Sequence, residues 1–333
     1  MALSKIVDHI YVINLDKRSD RRKLMIYKLK KIGIDSYEFF EAVDGNDTAY
    51  DDLYKICSTQ NQFTSRGSFG LIVTYIRILE DSYKNKYQTV LILEDDVNSH
   101  KQIDTLLNKF ADIIRNEMYD IVWLGANQTK FSKRQLNDIK EKQMYRPEPS
   151  IGTFGTYSIV LTRRCIVEMM KIVNIKNIKN LRPIDNLINS MMTQKKISGI
   201  VLSPALFIPD VSDSDNMGPR NQESFAYSRK IKMSDYHYIS QRDVNILREF
   251  LKKRRHKISC DSSHEHELLT IHDVQLFHQT LVSAVERISC DKHNDRYCDS
   301  TSDSTQDITV DIIDSYVKVM SFVGNVNELI EIM

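Results

Sequence analysis

The chain has 333 residues, in which 46 Lys and Arg nearly balance 45 Asp and Glu and leave a formal net charge of +1. This balance gives no overall attraction to polyphosphates or anionic membranes, so bulk nucleic-acid binding is excluded as a first hypothesis. Hydrophobic residues make up 41% and charged residues 27% of the chain, a composition typical of a folded protein rather than a disordered one.

Membrane and secretory signals are not visible in the sequence. No run of about 18 to 20 apolar residues occurs, so we predict no membrane-spanning helix. Residues 1–9 lack the apolar core of a secretory signal, and we therefore expect a cytoplasmic protein, in a host cytoplasm or a virion if it is virus-encoded. The five cysteines form no CxxC pair, which argues against a disulfide framework or a thiolate zinc site.

The chain opens with a predicted strand, helix and strand. Residues 9–15 (HIYVINL) cluster β-branched residues as a strand does, and the stretch that follows has apolar residues at helical spacing until Gly33. Gly33 is placed as a helix-ending glycine, and residues 36–43 predict a second short strand. This order opens a parallel sheet.

Two further helix and strand pairs follow. A buried helix over residues 68–83 leads into residues 89–93 (TVLIL), whose continuous apolar run predicts a central strand buried on both faces. A helix over residues 103–115 then leads into a strand over residues 119–124. We therefore predict an α/β protein with a doubly wound, mostly parallel sheet flanked by helices, whose carboxyl edge binds the ligand.

The second half of this domain has weaker signals. Residues 127–150 are charged and aperiodic, which predicts a surface excursion. The remaining predicted segments are a glycine-bearing strand over 152–161, a helix over 163–173, a helix that starts after Pro183 with Asp185 in its first turn, a last strand over 201–209 and an acidic loop over 210–220.

The last hundred or so residues have a different pattern. Apolar residues recur at helical spacing over 244–251, 268–288 and 308–332. We predict two domains, residues 1–233 as the α/β domain and residues 234–333 as a helical extension. The extension would shape acceptor binding or form a homodimer, and the sequence does not distinguish these roles.

Three adjacent carboxylates, Glu94, Asp95 and Asp96, follow the predicted central strand. Their mutual repulsion destabilises the fold unless a cation or hydrogen-bond donors offset it. Successive side chains leaving a strand point to opposite faces, so we expect Glu94 and Asp96 to share one ligand site while Asp95 points elsewhere. We predict a divalent metal here, and a solvated acidic cap is the alternative.

Seven segments, taken in order, resemble glycosyltransferase family 25, the lipopolysaccharide-biosynthesis and procollagen galactosyltransferase type, which has the GT-A nucleotide-diphosphosugar fold. They span residues 8–220 and are VINLDKRSDRR, FFEAVDG, RGSFGLIVTYIRILED, VLILEDDV, GTFGTYSIVLTRRC, RPIDNLI and SPALFIPDVSDSD. The resemblance implies a metal-dependent, inverting enzyme. It would move galactose, glucose or N-acetylhexosamine from a UDP-sugar donor to a hydroxyl of a glycan or protein acceptor, without nucleic acid as a partner.

The resemblance also implies how the acidic segment works. Asp96 would bind Mn²⁺ (or Mg²⁺) that bridges the diphosphate of the donor, and Glu94 and Asp95 would face the nucleoside and sugar. An inverting enzyme needs a carboxylate to deprotonate the acceptor hydroxyl, and Asp185 in RPIDNLI is the first choice. The alternative for Asp185 is an ordinary carboxylate in the first turn of a helix.

Donor contacts are implied at both ends of the matched region. Asn14, Leu15 and Arg18 end the first strand, where GT-A enzymes hold uracil and ribose, and Arg18 and Arg22 are the expected phosphate or base contacts. A surface ion pair is the alternative for each arginine. In SPALFIPDVSDSD, Asp213 is expected to contact the donor, with Asp215 as the other candidate.

One segment departs from the family. Members commonly have G-E-x-G-C-x-x-S-H before the acidic strand, where this chain has GSFGLIVTY, so Ser68 stands for the glutamate and Thr74-Tyr75 for Ser-His. The alternative function is therefore a catalytically inactive sugar-nucleotide-binding or scaffold protein. A nucleotidyltransferase is disfavoured, because DKRSDRR has no glycine for a triphosphate loop.

Overall fold

A computed structural model of the chain describes residues 3–59, 63, 65–115, 117–173, 181–215, 218–258, 274–275, 277–279, 281–282 and 310–332. The chain divides into two compact units, residues 1–238 and residues 239–333. The first unit is an α/β domain, and the described residues of the second are mostly helical, as the hydrophobic spacing predicts.

Among the described residues of the first unit, nine strands form two sheets. They are β1 (His9–Asn14), β2 (Glu38–Glu41), β3 (Thr89–Glu94), β4 (Val97–Ser99), β5 (Ile121–Trp123), β6 (Met144–Tyr145), β7 (Ser158–Thr162), β8 (Gly199–Leu202) and β9 (Phe207–Pro209). The main sheet has the order β2-β1-β3-β7-β5-β8-β6, and β4 pairs with β9 in a small separate sheet. In the main sheet β7 and β6 run against the other five strands, so the sheet is mostly parallel.

The described residues of this unit also form eight α-helices, which lie between the strands or, for the last one, after β9. They are α1 (Ser19–Lys31), α2 (Asp51–Ser58), α3 (Arg66–Lys84), α4 (Ile103–Arg115), α5 (Lys133–Lys142), α6 (Arg163–Met170), α7 (Ile184–Thr193) and α8 (Gln222–Ser228). Apolar residues of α3, α6 and α7 form the core on one face of the main sheet, and those of α1 and α4 form the core on the other.

The central strand β3 confirms the prediction of burial on both faces. Val90 and Ile92 belong to one core, whereas Leu91 and Leu93 belong to the other, and all four are fully buried. A strand covered on both sides is apolar at every position, because each successive side chain enters one of the two cores.

The surface excursion predicted over residues 127–150 is mostly exposed or partly buried, but it contains regular structure that the sequence did not predict. The segment contains α5 and β6, and Ser132 and Gln135 form a reciprocal capping box that starts α5. The helix is polar on most of its surface, so its sequence has too few apolar residues to show a period, while the cap fixes where it begins.

Two predicted strands also differ from the structure. Residues 152–161 form a strand only from Ser158, because Gly152 and Gly155 have φ values of 75° and 89°, which no strand contains. Residues 201–209 form two strands, β8 and β9, rather than one. Pro204 lies between them and has no N–H to continue a ladder.

The second unit contains α9 (Gln241–Ile258), α10 (Val310–Val323) and α11 (Val326–Ile332), and residues 274–275, 277–279 and 281–282 are also helical. Leu247, Phe277, Val319 and Leu329 are among its buried apolar side chains. Most of the predicted helical stretch 268–288 lies outside the described residues. Across the described ranges, no helix is long and apolar enough to cross a membrane.

Candidate functional site

A cavity of about 200 Å³ opens at the carboxyl ends of β1, β2 and β3. Pockets that enclose a drug-sized ligand measure about 300–1,000 Å³, so this one encloses a part of such a ligand. Its lining residues come from the ends of these strands, the starts of α1 and α3, and the loop after β9. They include Ile13, Leu15, Lys17, Arg21, Val43, Asp44, Gly45, Asn46, Thr74, Glu94, Asp95, Asp96 and Asp215.

One wall of the cavity depends on direct backbone contact between α3 and the turn after β2. A Cβ atom added to Gly70 would lie 2.3 Å from the Val43 oxygen, and one added to Gly45 would lie 1.8 Å from the Arg66 oxygen. Only glycine fits at either position, because both neighbours are backbone atoms. The Val43 N–H also donates to Thr74 Oγ1 over 2.9 Å, which fixes the turn against the helix.

The three adjacent carboxylates all line this cavity. The strand ends at Glu94, and Asp95 and Asp96 lie in the turn before β4. The side-chain alternation of a strand therefore stops at Glu94, and the expectation that Asp95 points elsewhere is wrong. Asp95 is buried and accepts hydrogen bonds from Asn14 Nδ2 at 2.7 Å and from Arg21 Nη1 at 3.0 Å.

Asp96 and Glu94 have fewer partners than Asp95. Asp96 Oδ2 lies 4.0 Å from Arg21 Nη1, and Asp96 Oδ1 is buried without a hydrogen-bond partner. Burial raises the pKa of Asp96 to about 7, and the Arg21 charge opposes this shift. Burial also raises the pKa of Glu94 well above its usual range, and the charges of Asp96 and Asp185 add to the shift. A bound cation at this place would therefore stabilise the ionised forms of Asp96 and Glu94.

Two arginines on one side of α1 face this acidic cluster. Arg18 donates to Asp20 over 3.0 Å and to Asp215 over 2.6 Å, and it also bonds Asp213. Burial works against the charge of Arg21, yet Asp95 and Asp96 outweigh it and raise the Arg21 pKa.

Of the predicted contacts near α1, Leu15 lines the cavity, whereas Asn14 is buried and reaches it only through its hydrogen bond to Asp95. Arg18 does not line the cavity and bonds Asp213 and Asp215. Arg22 is directed away, because its guanidinium lies 4.4 Å from the centre of the Phe39 ring. Sequence reasoning missed Arg21. Helical spacing gave only a partial signal for Arg21. Residues three or four apart share a helix face, so both Arg21 and Arg22 were compatible with the position of Arg18.

Sequence reasoning also missed Lys28, which lies two helical turns after Arg21. Its side chain is buried, and burial lowers its pKa to about 8 although Asp210 and Asp96 oppose the shift. Its ammonium group adds a third positive charge that interacts with Asp96 and Asp210.

Asp185 is positioned by the loop that precedes β7. The Gly155 N–H donates to Asp185 Oδ1 over 3.1 Å, and burial raises the pKa of Asp185 to about 7. Asn189, one turn further along α7, bonds both the N–H and the carbonyl of Thr153, at 2.9 and 2.8 Å. The Glu94 N–H donates to the Tyr157 carbonyl over 2.9 Å, so the loop that binds Asp185 through Gly155 also contacts the first residue of the acidic segment.

The same loop presents an aromatic ring to solvent. Phe154 is 43% exposed, while its carbonyl accepts a hydrogen bond from the Asn127 N–H at 2.6 Å. The residues on either side of it are bonded to Asn189 and Asp185. Phe154 is thus an exposed ring on a backbone that is fixed on both sides, next to Asp185.

The residues that replace Ser-His have no free polar group for a ligand. Tyr75 is fully buried, and its hydroxyl donates to the Thr156 carbonyl over 3.0 Å. Thr74 Oγ1 donates to the Gly70 carbonyl over 2.8 Å and accepts from Val43. Tyr75, which stands where family members have histidine, therefore has no free hydroxyl to offer a ligand.

In the part of the chain that the structure describes, no three His, Cys, Asp or Glu side chains are arranged as a group that could hold a metal ion. Asp96, with its unpartnered buried Oδ1, fits a different arrangement. Mg²⁺-type cations are commonly held by one or two carboxylates, with ligand phosphates and water completing the coordination. Asp96 suits such a site, in which most ligands come from outside the protein.

Comparisons with known proteins give one consistent result. Residues 7–187 match glycosyltransferase family 25, described as LPS biosynthesis protein. A glycosyltransferase 25 family member of Aedes aegypti is 28% identical over 132 residues, which are 37% of this chain and 22% of that protein. Its counterpart in Drosophila melanogaster is 27% identical over 139 residues, 37% of this chain and 22% of that protein.

A protein of Acanthamoeba polyphaga mimivirus is 34% identical over 111 residues, which are 32% of this chain and 33% of that protein. The chain therefore matches about a fifth to a third of the length of these relatives. The family match covers Asp185 and most of the cavity lining, and it ends before the loop that contains Asp213 and Asp215.

Proposed function

The chain belongs to glycosyltransferase family 25, and we propose that it transfers a sugar from a UDP-sugar to an acceptor hydroxyl with inversion at the anomeric carbon. The observation that carries the proposal is that the loop before β7 bonds Asp185 through the Gly155 N–H and Glu94 through the Tyr157 carbonyl. Asp96 lines the cavity with an unpartnered oxygen, and burial raises the pKa of Asp185 to about 7.

The donor would bind at the cavity. Leu15 and Asn14 lie at the end of β1, where they would contact the nucleoside, and Asn14 also holds Asp95 in place. Asp96 would hold Mn²⁺ or Mg²⁺ together with the donor diphosphate. When bound, this cation supplies positive charge that stabilises the departing diphosphate.

The acceptor would bind on the side of Asp185. A carboxylate with a pKa near 7 is suited to remove a proton at neutral pH, because it is ionised yet still basic. Asp185 would take the proton of the acceptor hydroxyl as that oxygen attacks the anomeric carbon and the bond to the diphosphate breaks. Phe154 offers an apolar face beside it for a sugar ring of the acceptor.

Measurement of UDP release tests this proposal. Galactose, glucose and N-acetylhexosamine donors are incubated with wild type and with Asp96→Asn, with Mn²⁺ or with EDTA. We expect release from one donor that requires the cation and falls at least a hundredfold in the variant. Asp138→Asn is the matched control, since Asp138 is a partly exposed carboxylate of α5 that pairs with Lys142. Equal release from wild type and Asp96→Asn would refute the role of Asp96.

The buried Tyr75 hydroxyl favours a second candidate, a sugar-nucleotide-binding protein without turnover. The family position of Ser-His holds two residues whose polar groups are bonded within the protein. This candidate predicts that UDP binds in calorimetry while no donor is consumed, even with a mixture of saccharide and protein acceptors. Any acceptor-dependent UDP release rejects it.

A further inference from the structure

The two arginines at the start of α1 are paired with carboxylates that lie further out. Arg18 bonds Asp215 over 2.6 Å and also bonds Asp213, while Arg21 lies 3.6 Å from Asp213 and 3.5 Å from Asp215. The arginine side chains are only 13% and 7% exposed, whereas those of Asp213 and Asp215 are 30% and 39% exposed. The two aspartates can therefore move away into solvent, whereas the arginine side chains are held in place by the protein around them.

Arg21 is not fully satisfied by these partners. Its Nη1 bonds Asp95, but its Nε and Nη2 are buried without a hydrogen-bond partner. A buried donor without an acceptor costs free energy comparable to a lost hydrogen bond. Asp213 and Asp215 lie near enough to Arg21 for ionic attraction but beyond normal hydrogen-bond length. The two arginines could therefore form more hydrogen bonds with an anion that supplies additional acceptor oxygens than they form with Asp213 and Asp215.

We propose that Arg18 and Arg21 form the binding site for the diphosphate of the donor, and that Asp213 and Asp215 occupy it in the ligand-free protein. This inference rests on the proposed function, which supplies the diphosphate. A guanidinium group forms paired hydrogen bonds with phosphate oxygens, so a diphosphate can engage the free donors of Arg21. The two acids are then competitors of the donor, in contrast to the expected contact between Asp213 and the donor.

The competition predicts an effect of opposite sign to that of a binding residue. We expect Asp213→Asn/Asp215→Asn to bind both UDP and inorganic pyrophosphate about tenfold more tightly than wild type in EDTA, since two partly exposed ion pairs no longer have to be broken. The control Asp138→Asn/Asp235→Asn changes the net charge equally at two other ion pairs, whose carboxylate side chains are 19% and 44% exposed, and it should change the affinities less than about twofold.

Calorimetry of both probes decides between the outcomes. If the Asp213→Asn/Asp215→Asn variant binds the probes more weakly than wild type, or only as the control does, the acids are not competitors and the inference is overturned. Arg21→Lys keeps the charge but loses the paired donors, and we expect about tenfold weaker binding. If that variant fails to fold, the asparagine variant decides alone.

The failure of the inference is distinguishable from that of the proposed function. If pyrophosphate follows the expected order while UDP does not bind, the anion site stands and the UDP-sugar proposal fails. If UDP binds to wild type but no more tightly to the asparagine variant, the transferase proposal stands and the inference fails. If neither probe binds to any variant, the inference is overturned.

Discussion

Replacing Asp185 by asparagine should abolish sugar transfer and at the same time stabilise the fold at high pH. Asparagine keeps the Oδ1 acceptor for the Gly155 N–H, which is 3.1 Å away in the wild type. It removes a charge that is unfavourable in the folded protein, because burial raises the pKa of Asp185 from 3.8 to about 7. A site evolved only for stability would have no reason to retain this carboxylate.

The pH dependence follows from the raised pKa. Below about pH 4 the carboxyl group is protonated in the folded and unfolded chains alike, and its charge has no effect. As the pH rises towards 7, only the unfolded chain is ionised, so wild-type protein loses stability relative to Asp185→Asn. Each unit of pKa shift corresponds to about 1.4 kcal/mol, so the stability difference between Asp185→Asn and wild type can reach at most about 4 kcal/mol. Part of the Asp185 surface is open to water, so we expect this stability difference to grow by about 2 kcal/mol between pH 5 and pH 8.

Urea denaturation of both proteins at pH 5 and pH 8 measures this gain. Asp120→Asn is the contrasting control, because Asp120 is a buried carboxylate that already has strong partners: Arg164 at 2.5 Å and the Ser198 N–H at 2.7 Å. That substitution should destabilise the fold. If the stability difference between wild type and Asp185→Asn is the same at both pH values, Asp185 carries no unfavourable buried charge and its role as general base loses its physical support. Wild-type turnover should also fall about tenfold per pH unit below its pKa.

Three further substitutions test the contact between α3 and the turn after β2, the exposed ring beside Asp185 and the buried Asp120–Arg164 ion pair. Gly70→Ala would place a Cβ 2.3 Å from the Val43 oxygen, and should lower the unfolding free energy by about 1–3 kcal/mol and weaken UDP binding, as measured by urea denaturation and calorimetry. Phe154→Ala should raise the acceptor KM about fivefold and leave acceptor-independent donor hydrolysis unchanged, and a changed hydrolysis rate would contradict a role confined to the acceptor. Arg164→Ala leaves the buried Asp120 without its ionic partner and should lower the unfolding free energy by about 2 kcal/mol, which an unchanged urea midpoint would refute.

Sequence patterns predict those helices and strands that have one or two clearly buried, apolar faces. The run TVLIL specifies a strand covered on both faces, and α4 is found over the predicted residues 103–115 because its apolar stripe is clear. The α5 helix was missed for the opposite reason, since it packs little apolar surface and its start is fixed by a cap. Burial patterns therefore identify elements with a large buried face and miss those defined by local hydrogen bonds.

The sequence predicts those residues of the site that lie at the ends of predicted strands. Asn14, Leu15 and the three carboxylates directly follow parallel strands, so their gathering at one sheet edge follows from the topology. The choice between Arg21 and Arg22 depends on the rotation of α1 about its axis, which the apolar positions of the helix set only to within one residue. The pairing of Arg18 with Asp213 joins residues far apart in sequence through a loop that has no hydrophobic period.

The direction of β7 explains how Asp185 enters the site. A parallel strand brings the residues that follow it to the carboxyl edge of the sheet, whereas an antiparallel strand brings those that precede it. Because Ser158 at the start of β7 pairs with Leu93 at the end of β3, the loop before β7 lies beside Glu94, and the Glu94 N–H bonds the Tyr157 carbonyl at 2.9 Å. That loop binds Asp185 through Gly155. The reversed strand thus places the proposed acceptor side next to the donor cavity, and a wholly parallel sheet would have put this loop at the opposite edge.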